Sequence, residues 1–320
     1  MALEDAARDV DRAFTGEPKG LAFENVFSGA TSFLRRRYTK DLAGVDLAVT
    51  GIPFDQAVTN RPGCRLGPRA IREASCLMPG DPPYGWGYDP LSLFHIADVG
   101  DLAFDYAKPA EVPARIEAHA AAILAAGAGL VTLGGDHSIS LPLLRAHAAV
   151  HGPLSLIQFD AHTDTWPDDD AARVDHGTMF YKAVKEGLVR TETSVQVGIR
   201  TTNPDTMGIA QIDARAVHLD GPVATAARIR AIVGDTPVYL SFDIDALDPS
   251  AAPGTGTPVW GGLTPAQAAI ILRDLAGVTL IGGDIVEVSP PFDTTGATAI
   301  AGAHVAVELV CLWGWTRRRG

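Results

Sequence analysis

Short runs of Val, Ile and Leu alternate with helix-like segments along most of this 320-residue chain. The runs span residues 46–51, 129–133, 154–159, 195–199, 217–219, 238–242 and 278–288. Nearly continuous apolar runs of this length are typical of parallel strands that are covered on both faces. The sequence therefore predicts an α/β protein with three layers, α/β/α, around a mainly parallel sheet.

Helix signals lie between these runs. Residues 113–126 are rich in Ala and Leu and lead to glycine, Thr264 and Pro265 supply an N-cap and a first-turn proline, and residues 298–312 form a last apolar segment. The sequence contains no internal repeat and no low-complexity linker. We therefore predict one domain over residues 38–320, preceded by an N-terminal packing arm over residues 1–37.

The charge balance excludes some classes of partner. The chain has 26 Lys and Arg against 38 Asp and Glu, a formal charge of −12, which gives no electrostatic footprint for a nucleic acid. Acidic residues follow Met1 where a secretory signal would be basic, and the uncharged stretch 120–135 is too short to span a bilayer. We expect a cytoplasmic protein that binds neither nucleic acid nor membrane.

Three of the apolar runs end in acidic residues and histidines. These clusters are Gly134-Gly135-Asp136-His137, Asp160-Ala161-His162-Thr163-Asp164 and Asp243-Ile244-Asp245. Ligands of open parallel sheets bind beyond the carboxyl ends of the strands, and residues two apart on an extended chain share a face. We therefore expect the following side chains to converge: His137, Asp160, His162, Asp164, Asp243 and Asp245.

Four converging carboxylates would repel one another strongly, and burying them without partners would cost several kcal/mol each. Two divalent ions would balance this charge, and the mixed, oxygen-rich ligand set suits Mn²⁺ better than the ligand sets that zinc prefers. Two such ions lower the pKa of a water between them and give a hydroxide at neutral pH. The pattern favours two Mn²⁺ per chain and a hydrolytic reaction.

Each cluster alone has a simpler interpretation. An isolated Asp-x-His-x-Asp is more often a solvated strand end, and Gly-Gly-Asp-His can be a tight turn with an N-cap. The specific signal is that three such clusters each follow a buried-looking strand. We assign Asp136, Asp248 and Asp284 to turn geometry or to orienting the ligands rather than to the metals.

Together these segments resemble the signatures of the ureohydrolase family, which includes arginases, agmatinases and guanidinobutyrases. The matching motifs are Gly134-Gly135-Asp136-His137-Ser138, the segment 160–164 and the segment 241–249. The similarity extends from Gly51-Ile52-Pro53-Phe54-Asp55 to Glu287-Val288-Ser289-Pro290, which is nearly the whole chain. It implies the arginase-like fold, a catalytic domain that releases urea from a guanidino compound, and a homotrimer or homohexamer.

The resemblance also implies roles for individual residues. One Mn²⁺ would be held by His137, Asp160, Asp164 and Asp243, and the other by Asp160, His162, Asp243 and Asp245. Glu287 would hold the guanidinium group and Asp164 would orient the hydroxide. His176 would deliver a proton to the departing amine, a role that suits an imidazole because its pKa lies near the operating pH.

Within this family the motifs favour agmatine as the substrate, because residues 175–181 look most like those of bacterial agmatinases. Arginases have an Asn after the Asp-Ala-His-x-Asp segment, but Thr165-Trp166-Pro167 follows here. The predicted reaction is agmatine plus water to putrescine plus urea. The acidic run 168–170 would suit an ammonium group, although such a run is also typical of a solvated loop.

Other functions stay open at this point. Residues 290–296 resemble guanidinobutyrases, whose substrate ends in a carboxylate that Arg61 or Asn203 would have to hold. A chain of a different class would be a metal-bound regulatory subunit without turnover. A metal-dependent amide deacetylase of the same architecture is a third interpretation.

Overall fold

A computed structural model describes residues 11–318 of the chain, and one sheet of eight parallel strands runs through it. The strands are β1 Leu47–Gly51, β2 Ile96–Asp101, β3 Gly129–Leu133, β4 Ser155–Phe159, β5 Val195–Val197, β6 Ala210–Ile212, β7 Val238–Asp243 and β8 Leu280–Val286. Their spatial order is β2-β1-β3-β8-β7-β4-β5-β6. Every strand pair in the described residues is parallel, so the predicted mainly parallel sheet is confirmed.

Helices lie on both faces of the sheet. They are α1 Arg12–Thr15, α2 Gly67–Ser75, α3 Pro90–Leu93, α4 Val112–Ala125, α5 Ser140–His151, α6 Met179–Lys185, α7 Ala214–Asp220, α8 Pro222–Val233, α9 Pro265–Asp274 and α10 Ala297–Arg317. Thr264 caps α9 as predicted, with its hydroxyl accepting from Gln267 N and the Gln267 side chain completing a capping box.

Two apolar cores, one on each face of the sheet, confirm the three-layer architecture. The first core contains buried residues of α2 and α7–α10, such as Ile71, Ile229 and Leu309. The second contains buried residues of α4–α6, such as Ile116 and Phe180. The central strands β3, β4, β7 and β8 therefore bury both faces, which is why their segments are mainly apolar.

The sequence prediction is wrong for one strand and misses two. Residues 217–219 lie in α7, where Val217 is buried and Leu219 is 65% exposed. The prediction failed because two apolar residues separated by His218 fit one helical turn as well as a strand. Strand β2 was missed because Asp98 interrupts its apolar pattern, and this buried carboxylate is paired with Arg72 at 2.8 Å. Strand β6 has only three residues at the sheet edge.

The described part of the N-terminal arm, residues 11–37, packs against the sheet through its last residues. Phe33 and Leu34 are buried, and the Phe33 N–H donates to Asp98 Oδ2 at 2.7 Å. Arg36 is also buried and donates to the Gly20 carbonyl at 2.7 Å. The predicted arm includes residues 1–10, which lie outside the described residues.

Helix α10 is long and apolar enough to cross a membrane by length and composition, with 21 residues and a mean hydropathy of 1.5. However, 72% of its apolar window is buried inside the protein. It packs against α2, α9 and β8. Within the described residues α10 is therefore a core helix.

The four central strands position the polar clusters. In the order β3-β8-β7-β4 they are neighbours, and their carboxyl ends lie at one edge of the sheet. His137 follows β3, Asp160 follows β4, and Glu287 follows β8, while Asp243 is the last residue of β7. The fold thus brings together side chains that are up to 150 residues apart in sequence.

Gly135 is required where the β3 loop passes the backbone of another segment. A Cβ atom at this position would lie 1.8 Å from the carbonyl oxygen of Phe54. We expect Gly135→Ala to lower the free energy of unfolding by about 3 kcal/mol or more in urea denaturation, because backbone atoms cannot yield as a side chain can. Gly80→Ala is the control, since its Cβ would meet only ordinary contacts at 3.5 Å. Equal unfolding midpoints for the two variants would contradict this packing.

Candidate metal centre

His137 lies at the centre of the first group of converging side chains. Its Nδ1 atom is 3.2 Å from Asp160 Oδ2, 2.9 Å from Asp164 Oδ2 and 3.2 Å from Asp243 Oδ2. All four residues are buried. The ends of β3, β4 and β7 thus contribute one imidazole nitrogen and three carboxylate oxygens to one small volume.

His162 forms a second group beside the first. Its Nδ1 atom is 3.0 Å from Asp245 Oδ2 and 3.4 Å from Asp160 Oδ1. Asp160 therefore directs one carboxylate oxygen to each histidine and joins the two groups. The other oxygen of Asp243, Oδ1, accepts from Asp245 N at 2.8 Å, which holds the loop after β7 in place.

Hydrogen bonds outside the cluster fix the protonation of His137. The Ser241 hydroxyl donates to Asp284 Oδ1 at 2.6 Å, so its oxygen accepts from His137 Nε2 at 2.8 Å. Asp284 Oδ2 accepts from the hydroxyls of Tyr239 and Ser140. The proton of the neutral ring is therefore on Nε2, and the lone pair of Nδ1 points at three carboxylates.

That arrangement fits a metal ion. His137 Nδ1 is buried and makes no hydrogen bond of acceptable geometry, although three carboxylates surround it. A lone pair facing carboxylate oxygens is repulsive unless a cation lies between them. Two sets of residues have ligand atoms within 4.8 Å of one another, His137 with Asp160 and Asp164, and Asp160 with His162 and Asp245.

The pKa shifts of the clustered residues reflect the same crowding of negative charge. Burial and the neighbouring charge of Asp160 raise the pKa of Asp164 to about 6. Burial and the charges of Asp245 and Asp160 raise the pKa of Asp243 well above its ordinary value. Burial lowers the pKa of His162, but its contacts with Asp160 and Asp245 outweigh burial and raise it to about 12. The cluster therefore attracts positive charge, either as protons or as metal ions.

Glu287 and His176 form a separate pair beside the cluster. His176 Nδ1 lies 2.9 Å from Glu287 Oε1, which also accepts from His137 N at 3.0 Å. Glu287 is 1% exposed, and its second oxygen, Oε2, has no hydrogen-bond partner in the described residues. Glu287 therefore has one oxygen that is held by hydrogen bonds and a second, buried oxygen without a hydrogen-bond partner.

Thr59 holds the other nitrogen of His176. His176 Nε2 lies 3.1 Å from Thr59 N and 3.0 Å from Thr59 Oγ1. The neutral ring can accept from the backbone N–H, and the charged ring can donate to the hydroxyl oxygen. Burial opposes the charged ring, but the Glu287 carboxylate outweighs it and raises the pKa of His176 to about 9.

Two of the predicted site residues have left-handed backbone. Asp164 has φ +52° and Glu287 has φ +63°. Such conformations cost residues with a side chain on the order of 1 kcal/mol or more each and concentrate at functional sites. The Glu287 N–H donates to Gly135 O at 2.8 Å, and Asp164 O accepts from Phe180 N at 3.1 Å. These bonds hold both carboxylates in place.

A chain of three glutamines supports Asp160, and the sequence analysis missed it. Gln158 Nε2 donates to Asp160 Oδ2 at 2.7 Å, Gln196 Nε2 donates to Gln158 Oε1 at 2.7 Å, and Gln211 Nε2 donates to Gln196 Oε1 at 3.1 Å. The three residues are register neighbours on β4, β5 and β6. A buried Gln inside each of two apolar runs was the available signal, because a buried amide requires partners.

Arg200 is a second support that the sequence did not reveal. Its guanidinium donates to the carbonyl oxygens of Asp245 at 2.6 Å, of Val259 at 2.8 Å and of Gly198 at 3.0 Å. It therefore ties two parts of the connection between β7 and α9, at Asp245 and Val259, to the loop after β5 that carries Arg200 itself. Asp245 Oδ2 also accepts from the Thr257 hydroxyl at 3.3 Å.

The three acids assigned to orienting roles make the expected kinds of contact. Asp136 accepts from Ser138 N at 3.0 Å and from Ala57 N at 2.9 Å. Asp248 accepts from Gly262 N at 3.0 Å. Asp284 holds Ser241 behind His137, as described above.

A cleft of about 390 Å³ opens onto the cluster. Its lining includes His162, Asp164, Asp243, His176, Thr59, Thr257, Trp166, Pro167, Gly177, Thr178, Arg173 and Asp175. The two residues considered as clamps for a carboxylate lie elsewhere in the described part of the chain. Arg61 stacks on Phe292 at 5.3 Å, and Asn203 donates to Thr163 Oγ1 at 2.9 Å.

The profile of the Arginase family matches residues 45–311, so the chain belongs to this family. An agmatinase from Chromobacterium violaceum is 54% identical over 294 residues, which cover 92% of this chain and 91% of that protein. In structure, a hypothetical agmatinase from Burkholderia thailandensis aligns with TM-score 0.95 and 53% identity over 97% of this chain and 99% of its own. The proclavaminate amidino hydrolase of Streptomyces clavuligerus aligns with TM-score 0.83 and 34% identity, over 91% and 99% respectively.

The hydrogen bond from Gln158 to Asp160 is expected to affect the affinity for metal. Gln158→Leu removes the donor to Asp160 Oδ2, so Mn²⁺ affinity measured by isothermal titration calorimetry should fall about 10-fold. Gln211→Leu, at the outer end of the same chain, should change the affinity much less. Equal affinities for Gln158→Leu and the unmodified protein would show that the amide does not support Asp160.

Proposed function

We propose that the chain is an agmatinase that holds two Mn²⁺ and hydrolyses agmatine to putrescine and urea. The observation that carries the proposal is the convergence of four carboxylates and two histidines beside a glutamate with one unpartnered oxygen. The agmatinase from Chromobacterium violaceum, at 54% identity over 92% of this chain, supports the choice of substrate.

The proposed ligands divide between two ions. His137, Asp160, Asp164 and Asp243 would hold one, and Asp160, His162, Asp243 and Asp245 would hold the other. The geometry supports a bridging role most directly for Asp160, whose two oxygens lie near different histidines. When bound, two such ions provide Lewis acidity and lower the pKa of water to roughly 7, which supplies a nucleophile at neutral pH.

The residues around the ions would bind and orient the substrate. Glu287 would accept from the planar guanidinium through Oε2, which has no hydrogen-bond partner in the described residues, because a charge-assisted hydrogen bond is strong where water is excluded. Its Oε1 stays bonded to His137 N, so the carboxylate keeps its orientation. Asp164 lines the cleft and would accept a hydrogen bond from the nucleophile.

His176 would donate the proton that the leaving amine needs. It lines the cleft, and the contact with Glu287 favours its charged ring and raises its pKa to about 9. Cleavage of the carbon–nitrogen bond then gives a neutral amine rather than an amide anion. Water supplies the oxygen of urea and the two protons that the leaving nitrogen gains as it becomes an ammonium group of putrescine. His176 would donate one of them and regain its proton from the attacking water.

Guanidinobutyrate remains the second candidate, because Arg173 lines the same cleft and is a cation that a carboxylate could use. Initial rates of urea release from agmatine, guanidinobutyrate and arginine separate these substrates. Acetate release from acetylated polyamines would instead reveal a deacetylase. Absence of turnover with every compound would favour a metal-bound regulatory subunit.

We also infer three properties of the whole protein. The domain of residues 38–320 would be the catalytic unit, with residues 1–37 as an arm. The protein would be cytoplasmic, and it would assemble as a homotrimer or homohexamer. Family membership supports the assembly, and sedimentation velocity tests it.

Metal loading tests the ligand set. Chelator treatment should abolish urea release, and added Mn²⁺ should restore it with about two ions bound per chain by elemental analysis. His162→Ala should retain about one ion, because it removes a ligand from the second group only. An unchanged metal content in that variant would contradict the ligand assignment.

Glu287 and His176 are expected to act without binding metal. Glu287→Gln should lower kcat/KM for agmatine by roughly 100-fold or more, since the guanidinium loses its charged partner. His176→Asn should lower kcat by roughly 100- to 10,000-fold through loss of proton transfer. Both variants should keep the metal content of the unmodified protein, and loss of an ion from either would refute these roles.

A further inference from the structure

We propose that Asp175 binds the ammonium group at the far end of the substrate, and that Arg173 is the counter-ion it exchanges. This inference rests on the proposed function, because it concerns the part of agmatine that does not react. It assigns a specificity-determining role to Asp175, a residue of the motif 175–181 for which the sequence analysis gave no role.

Few charged groups are available for this task. Apart from the proposed metal ligands and His176, the charged side chains that line the cleft in the described residues are Arg173 and Asp175. Asp175 precedes His176 in the chain, so a carboxylate lies next to the residue proposed to protonate the leaving amine. A diamine product with one end at His176 has an anion nearby for its other end.

Asp175 is held in place. Its Oδ1 accepts from Gly177 N at 2.9 Å, and its side chain is only 15% exposed. Gly177 also accepts from Trp166 N at 3.1 Å, which ties this turn to the loop after Asp164.

Arg173, by contrast, can move away. Its Nη2 atom pairs with Asp175 Oδ2 at 2.5 Å, but its side chain is 56% exposed. Ion pairs with a solvated partner contribute little, because water and salt compensate the separated charges. A substrate ammonium can therefore replace the guanidinium at Asp175 Oδ2, and Arg173 remains solvated.

The acidic run 168–170 is already engaged. Asp168 is buried and pairs with Lys182 Nζ at 2.8 Å, and Asp169 accepts from the Tyr181 hydroxyl at 2.8 Å. Asp170 caps the following turn by accepting from Ala172 N. Asp175 is thus the better-placed anion for a cation that enters the cleft.

The fixed position of Asp175 and the exposure of Arg173 favour one class of substrate. A fixed carboxylate and a movable guanidinium preorganise the cleft for a cationic end, since binding is strongest where the protein group needs no ordering. A substrate that ends in a carboxylate would meet the fixed negative charge of Asp175. The geometry therefore favours agmatine over guanidinobutyrate.

The test compares agmatine with n-pentylguanidine, in which a methyl group replaces the ammonium, on the Mn²⁺-loaded protein. Asp175→Asn keeps an oxygen for Gly177 N but removes the charge. It should lower kcat/KM for agmatine roughly 10- to 100-fold, mostly through KM, and leave kcat/KM for n-pentylguanidine unchanged. A charge-assisted hydrogen bond to the ammonium predicts this difference, whereas a general disturbance of the site would affect both substrates.

Two further variants serve as controls. Asp220→Asn removes the same charge from an exposed position at the end of α7 and should leave both substrates unaffected. Arg173→Met frees Asp175 while keeping an apolar stem, so KM for agmatine should stay equal or fall. A rise in that KM would show that Arg173, not Asp175, contributes to binding.

The outcomes separate this inference from the proposed function. If the unmodified protein releases urea from agmatine and Asp175→Asn retains the same kcat/KM, the distal site is refuted and the agmatinase proposal stands. If the unmodified protein releases no urea from agmatine, the proposed function fails first. Equal losses with agmatine and n-pentylguanidine would assign Asp175 a structural role and overturn the inference.

Discussion

The mutual repulsion of four buried carboxylates is the constraint on which the rest of this structure depends. Asp160, Asp164, Asp243 and Asp245 lie at one edge of the sheet, where burial alone would force them to bind protons. The protein surrounds them with fixed dipoles, including the hydroxyl of Ser241 behind His137 and the amide of Gln158 beside Asp160. The fold therefore stabilises a concentration of negative charge that only cations can neutralise.

Much of this arrangement could be predicted from the sequence, because the signals were local. Apolar runs marked the central strands, and a polar cluster directly after a run marked a strand end, as for His137 and Asp160. The assignments failed where structure depends on distant contacts. Strand β2 carries the buried Asp98, whose pairing with Arg72 joins residues 26 positions apart and leaves no local pattern.

The supporting contacts were harder to predict than the ligands. The chain of three glutamines, Gln158, Gln196 and Gln211, forms only because β4, β5 and β6 are adjacent and in register. The order of strands in a sheet cannot be predicted from any single segment of the sequence. The same holds for Arg200, whose carbonyl partners come from the loops after β5 and β7. The lack of a hydrogen-bond partner for Glu287 Oε2 likewise depends on contacts between distant segments.

The position of β8 in the sheet has a consequence for biosynthesis. β8 is the last strand in the sequence, yet it lies between β3 and β7 at the centre of the sheet. Before it is made, the strands comprise two separate groups, β2-β1-β3 with His137 and β7-β4-β5-β6 with the aspartates. In a nascent chain that ends before residue 280, the imidazole of His137 therefore belongs to one strand group and its carboxylate neighbours belong to the other. No strand yet lies between the two groups. The His137 group can therefore take the arrangement of the folded chain only after β8 has been made.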